Sequence, residues 1–345
     1  MEWVNMAATN DSILSKSIGC LAGVAIGDAM GMPTFGLSPD QIREKFGKVT
    51  NFMDAPTGHI IHDGLKAGQV TDDTQITLVL ADAIIKDGFV SKEGFAQRLF
   101  EWSKGLGSSA DKLIGPSTKR VIEKMAKGIK PEDINEAGAT NGASMRVSPV
   151  GILNAGFDLE KVVEDVVKSC VLTHNTSVAI SAASSVACAI SKAIVGKCGV
   201  DVIEAGIHGA KLGAKFGIFY PAAPVDKRIE LAVKIVLESK NFDEIIDSLY
   251  NYVGAGIESN EAIPTAFGIF FATNGEPMDA ITMATNIGGD SDTIASIVGG
   301  IAGAFKGIEA FPKDIVKKVE QVNGLNFEIL AKKLLEVRER RLMRL

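Results

Sequence analysis

The chain has 345 residues, enough for one large domain or two ordinary ones and ample for a buried core. A hydrophobic share of 46% with 23% charged residues excludes wholesale disorder, and the 36 glycines follow no collagen-like period. The net charge of -6 argues against a nucleic-acid partner, because phosphate binding needs clustered Lys and Arg that release counterions.

The N-terminal Met1-Glu2-Trp3 carries no basic segment ahead of an apolar stretch, and no run reads as the roughly 18 apolar residues that a spanning helix needs. Neither secretion nor a membrane is expected. From Ser12 to Met30, residues Ile13, Leu14, Ile18, Leu21, Ala22, Ala25 and Ile26 keep helical spacing until Gly31-Met32-Pro33 stops it. Further apolar helical patterns occupy 73–87, 91–104, 116–127, 159–170, 175–195, 200–213 and 226–238. They continue at 242–252, 261–273, 277–285, 291–305, 312–322 and 326–341. Strict alternation rich in β-branched and aromatic residues is nearly absent.

Turn signals separate the patterns, as at Gly105-Leu106-Gly107, Thr140-Asn141-Gly142, Tyr220-Pro221 and Gly288-Gly289. No linker, low-complexity stretch or fixed-period repeat divides the chain. The expectation is an all-α fold, one multi-helix domain over residues 1–345 with its core at about 12–341.

Three further readings follow. Thr173 to Val195 is uncharged apart from His174 and Lys192, but its dense Ser and Ala content suits a buried central helix better than lipid. The basic Arg338 to Arg344 stretch complements the dipole of a last helical turn. Cys20, Cys170, Cys188 and Cys198 form no CxxC pair and have mostly apolar neighbours, so all four read as buried free thiols of a cytoplasmic protein.

Two acidic clusters stand out: Thr71-Asp72-Asp73-Thr74, where a glycine-containing loop gives way to a helix, and Gly288-Gly289-Asp290-Ser291-Asp292-Thr293, which opens another. Helix capping is the simplest account, with Asp72 and Gln75 as a capping box and Asp290 or Ser291 as the second cap. One cap, however, needs only one carboxylate. Two aspartates within four residues oppose each other unless a cation lies between them. Oxygen ligands without a Cys or His pair select Mg²⁺, Mn²⁺ or Ca²⁺, and two divalent ions shared by both clusters would neutralise four carboxylates.

Thr140-Asn141-Gly142-Ala143-Ser144-Met145-Arg146 begins with a turn signal and allows backbone N–H groups to approach a polar ligand, or else simply enters a helix with Arg146 in an ion pair. His174 begins the small-residue helix as a cap, a satisfied core residue or a ligand contact. His59 and His62 lack partner spacing and read as solvated. Asp28, at the C-terminal end of an apolar helix where the dipole disfavours a carboxylate, calls for a specific partner, such as a hydrogen bond supporting the metal site from behind.

Taken together, these motifs resemble the ADP-ribosylglycohydrolase family, which includes the dinitrogenase reductase-activating glycohydrolases and the ADP-ribosyl-arginine and ADP-ribosyl-serine hydrolases. The likeness spans most of the chain in the family's order: Gly23 to Gly31, Thr71 to Thr74, Ile114-Gly115-Pro116-Ser117-Thr118, Asn141 to Pro149, Thr173-His174 and Gly288 to Thr293. The resemblance implies an orthogonal helical bundle holding two divalent cations, Mg²⁺ or Mn²⁺, that cleaves a glycosidic bond at the ribose of an ADP-ribosylated protein or ADP-ribose derivative. Thr71, Asp72, Asp73, Asp290, Asp292 and Thr293 would ligate metal. Asn141, Gly142, Ser144, Met145 and His174 would contact substrate, and Asp292 would take the proton of the attacking water.

The chain departs from that pattern at one position. Many members carry a glutamate seven residues after the aspartate corresponding to Asp28, where this chain has Phe35; Thr34 and Gly36 cannot replace it, and Asp40 lies too far along. Either another acid such as Asp111 serves, or the substrate differs. Two alternatives therefore stand beside the leading one: an N-glycosidase on a nucleoside or nucleotide-like molecule, and a non-catalytic ADP-ribose binder.

Overall fold

A computed structural model of the chain describes residues 9–106 and 114–344. Among these residues all regular structure is helical, and three isolated backbone bridges stand in place of any sheet. The helices arise close to where apolar periodicity placed them. Asp72–Asp87, Lys92–Gly105, Leu159–Cys170 and Ser291–Lys306 each begin and end within a residue or so of the expected limits.

Two short helices escaped periodicity, Pro39–Phe46 and Ser148–Leu153, because eight and six residues are too few to establish a repeat. The 242–252 pattern is split: Phe242–Ser248 is α-helical and Leu249–Val253 widens into a π-helical turn.

One crossing organises the molecule. Asn10–Gly31 and Ser291–Lys306 run antiparallel in direct backbone contact. Gly19, Gly23, Gly27 and Gly31 recur every four residues and so share a face, opposite Gly303, Gly299, Ala295 and Ser291. A Cβ on Gly23 would stand 2.0 Å from the Gly299 carbonyl oxygen, and one on Gly27 would stand 2.0 Å from that of Ala295. No side chain larger than hydrogen fits there. The contact brings the end of the first helix to the beginning of the other, which is where Asp28 and the second acidic motif lie.

A contiguous apolar core runs from Ile13 to Val337, and Ser177–Val195 lies inside it. By length and composition alone, Asn10–Thr34 and Ser177–Val195 could each cross a membrane, which corrects the expectation that no run would qualify. Within the fold, 78% and 89% of their most apolar windows are buried, and their small residues serve helix packing.

Arg341 reaches back to Asp165 at 2.8 Å and Arg338 donates to the Ala155 carbonyl at 2.8 Å, so these two basic residues anchor the last helix to the body of the protein. Cys20, Cys170 and Cys188 are buried. Cys198 is exposed, contrary to expectation, because it occupies the N-cap position of the Gly199–Gly213 helix in a surface turn.

Candidate active site

Capping does not account for the aspartates of the first motif. The N-cap of Asp72–Asp87 is Thr71, whose hydroxyl accepts from the Asp73 N–H at 3.2 Å. Gln75 instead accepts from the Trp102 indole at 3.1 Å, so the expected capping box does not form. Asp290 occupies the N-cap position of Ser291–Lys306 without a side-chain capping bond to the helix backbone, and the Ser291 hydroxyl donates to the Gly31 carbonyl at 2.9 Å.

Asp28 has the specific partner its position demanded. Wholly buried, its carboxylate accepts from the Thr71 N–H at 3.0 Å, the Thr74 N–H at 3.1 Å and the Thr74 hydroxyl at 2.5 Å. The C-terminal end of one helix thereby caps the N-terminus of another, where a negative charge is favoured. This bond network fixes the first acidic motif relative to the glycine-lined crossing.

The second motif is aimed by its glycines. Gly288 and Gly289 take φ of +74° and +62°, and a Cβ on either would stand about 2 Å from the carbonyl oxygen of Leu37 or Ala255. The Asp290 N–H donates to the Ala255 carbonyl at 2.7 Å. Two helix N-termini thus present their acids to one place. The Asp73 carboxylate accepts from Thr71 Oγ1 at 3.1 Å and from Thr293 Oγ1 at 3.4 Å, joining residues 220 positions apart. Asp290 accepts from the Asn141 amide.

The cluster holds negative charge in poor contact with water. Burial first, and then the charges of neighbouring aspartates, push Asp73 and Asp290 well above the usual carboxylate range. Asp72 is pushed up to about 7 by desolvation and by Asp292 and Asp28. Asp28 rises to about 6, mainly through burial. Asp73 Oδ1 is buried without a hydrogen-bond partner among the described residues. An unpartnered oxygen among crowded carboxylates and two threonine hydroxyls is a donor set that fits a hard divalent cation. No three Asp, Glu, His or Cys side chains among the described residues converge tightly enough to mark one ready-made ligand sphere.

The acids line a cavity of about 540 Å³, within the size range of small-molecule sites. Asp72, Asp73, Asp290, Asp292 and Thr293 reach it, as do Asn141, Gly142, Met145 and His174. Thr71 and Ser144 do not. Thr71 is buried and bonded to Asp73, and Ser144 is buried and does not line the cavity. A more open depression of about 700 Å³, between Gly156–Glu160 and Asp201–His208, includes none of these residues.

His174 braces one wall. Its ring contacts Thr140 Oγ1 at 3.2 Å and Thr173 Oγ1 at 2.8 Å, and any Cβ on Gly142 would stand 2.9 Å from it. Burial, and then the cations Arg146 and Arg120, hold it neutral, with its pKa well below the ordinary histidine value. Among the described residues Arg146 makes no ion pair of the expected kind. Its buried guanidinium donates to the Gly142 and Ser169 carbonyls and to Thr173 Oγ1, over the Phe95 ring.

His62 corrects the sequence reading most directly. It is 4% exposed rather than solvated, and its Nε2 lies 2.9 Å from Asp292 Oδ2. Burial opposes its protonation, but the hydrogen bond to Asp292 and that residue's charge raise its pKa overall. Half-buried His59 stacks on it at 5.2 Å, and Phe35 meets it edge-on at 5.4 Å. Phe35 also lines the cavity, as do Tyr220 and Ile257, which the sequence did not single out. Asp111 lies outside the described residues.

The helical fold brings two acidic helix N-termini to one cavity, and comparison with known proteins gives the family. The family model for ADP-ribosylglycohydrolase matches residues 9–342. The uncharacterized protein YegU of Escherichia coli K12 is 29% identical over 327 residues, covering 94% of this chain and 98% of that one. The ADP-ribosyl-[dinitrogen reductase] glycohydrolase of Rhodospirillum rubrum is 24% identical, covering 90% and 92%. A solved structure titled ADP-ribosylglycohydrolase-related protein complex shares the fold, with a TM-score of 0.66, 22% identity, and coverage of 95% and 99%. The chain belongs to the ADP-ribosylglycohydrolase family and is a hydrolase.

Proposed function

We propose that this hydrolase cleaves the ribosyl bond of an ADP-ribosylated protein or ADP-ribose derivative, using two divalent cations, Mg²⁺ or Mn²⁺. The observation that carries the reading is the meeting of Asp72 and Asp73 with Asp290 and Asp292 at the cavity, with Asp73 Oδ1 left without a partner. Asp72, Asp73, Asp290, Asp292 and Thr293 would hold the metal, with Thr71 supporting Asp73. When bound, the ions would supply charge neutralisation and a more acidic water. Asp292 would accept the water's proton as the bond to ribose breaks through an oxocarbenium-like state.

The rest of the cavity suits such a substrate. Among the described residues the N-terminus of Pro116–Ala126, opening at Gly115, has no side-chain cap, and buried Ser117 and Thr118 line the cavity, with Ser117 against Gly138. Free N–H groups at a helix start favour an anionic group such as a diphosphate. Tyr220, Ile257 and Phe35 add apolar surface for a ring system.

The test is release of ADP-ribose from arginine- and serine-linked ADP-ribosyl proteins with Mg²⁺, with Mn²⁺ and with EDTA. Metal-dependent release that Asp72→Asn and Asp292→Asn abolish supports the reading, and full activity in either variant overturns it. Phe35, an aromatic wall where an acid was expected, favours a second reading: N-glycoside hydrolysis of a nucleoside or nucleotide-like molecule. Assaying nucleosides and ADP-ribosyl proteins side by side separates the two. Tight ADP-ribose binding without any product would leave the protein a binder.

A further inference from the structure

The geometry points to His62 as a positioning residue that holds Asp292 in place through Nε2, with Phe35 and His59 fixing the imidazole ring. The inference rests on the metal-site reading above and concerns how one carboxylate of that site is aimed.

Asp292 Oδ1 accepts from the Thr293 N–H at 2.9 Å, a bond within its own helix. Its Oδ2 meets His62 Nε2 at 2.9 Å, across 230 residues, and the two side chains are only 4% and 5% exposed. An ionised carboxylate only accepts, so His62 Nε2 carries the hydrogen of this contact, while its Nδ1 is buried without a partner among the described residues.

The ring is held on both sides. Phe35 lies edge-on with centroids 5.4 Å apart, and His59 stacks at 5.2 Å. The backbone beneath is held too, since the His62 and Ile61 N–H groups both donate to His59 Nδ1, at 3.0 and 3.3 Å. Phe35 is in turn anchored beside the second acidic motif, because the Gly36 N–H donates to the Gly289 carbonyl at 2.7 Å. Each aspartate of that motif therefore has one side-chain N–H donor from another segment: Asn141 for Asp290 and His62 for Asp292.

A carboxylate aimed by a fixed donor loses less freedom on binding a cation, and removing such an outer partner typically costs about 10- to 100-fold in metal affinity. The experiment is titration of full-length protein with Mn²⁺, read by the loss of the free-ion paramagnetic resonance signal, with melting curves in EDTA alongside. His62→Ala is expected to weaken Mn²⁺ binding about 10- to 100-fold. His62→Gln, which keeps a donor, should recover most of that loss. His208→Ala, on the exposed face away from the site, should match wild type.

Should alanine prevent folding, His62→Gln against His62→Met repeats the comparison between unbranched side chains, of which only Gln donates. Wild-type affinity in His62→Ala, or Gln binding no better than Ala or Met, overturns the role of His62 and leaves the metal reading intact. Absence of Mn²⁺ binding in the wild type overturns both.

Discussion

The glycine-lined crossing and the acidic cluster share the helices Asn10–Gly31 and Ser291–Lys306, to which the cluster adds the N-terminus of Asp72–Asp87, but the two regions differ in how well their groups are satisfied. Along the crossing, Gly23 and Gly27 meet Gly299 and Ala295 backbone to backbone. At its end, Asp28 and the four motif aspartates crowd together, with Asp73 Oδ1 unpartnered. A well-packed crossing can hold an unfavourable site in place, because rigid packing overdetermines the positions of charges that would otherwise move apart. Stability is expected to depend on the first region, and catalysis on the second.

The largest expected effect breaks the crossing. Gly27→Val places a side chain where even a Cβ would lie 2.0 Å from a carbonyl oxygen, so a loss of about 3 kcal/mol or more is expected, read as a collapsed melting temperature or insoluble expression. A variant that melts like wild type would show that the helices can separate at no cost.

Next comes the site. If Asp72 holds metal as proposed, Asp72→Asn should lower kcat/KM by about 100-fold or more, since a bound cation would contribute several kcal/mol. The same change should leave the melting temperature in EDTA at pH 8 unchanged or higher, because it removes one of several repelling charges. A lower melting temperature would mean that the cluster stabilises the fold without metal.

The pH dependence is smaller and separates the regions again. Asp72 and Asp28 titrate at about 7 and about 6 in the fold, above the ordinary 3.8. Raised groups of this kind contribute stability that is present below the unfolded value and lost as pH rises through the folded values. In EDTA the melting temperature should therefore fall between about pH 4 and pH 7, and saturating Mg²⁺ should change that profile. A flat profile in EDTA would show that the carboxylates are not held neutral.

The smallest effect leaves both regions untouched. A thiol reagent should modify Cys198 in the native protein and the other three cysteines only after unfolding. Burial raises the pKa of the Cys20 and Cys170 thiols to about 12 and about 11 and pushes Cys188 up further, which slows thiolate reactions as well as access. Rapid native modification of all four would contradict the packing of the first helix and of Ser177–Val195.

Much of this protein was legible in its residues. Apolar periodicity placed most helices, since a helix buries one face through contacts three and four residues apart. The doubled aspartates at 72–73 and 290–292 marked the site because local capping needs fewer charges. Asp28 stood out because a carboxylate is misplaced at a helix C-terminus.

Tertiary structure alone decided what those signals meant. Nothing local pairs Gly23 with Gly299, makes Thr71 rather than Asp72 the cap, or turns Ser144 from the cavity while bringing Tyr220 to it. Nothing near His62 in sequence foretells Asp292, because a single hydrogen bond across 230 residues leaves no spacing to read. The residues determined which segments are helical and which carry charge. How the charges meet followed from packing, because contacts between distant segments depend on shape complementarity that no short window contains.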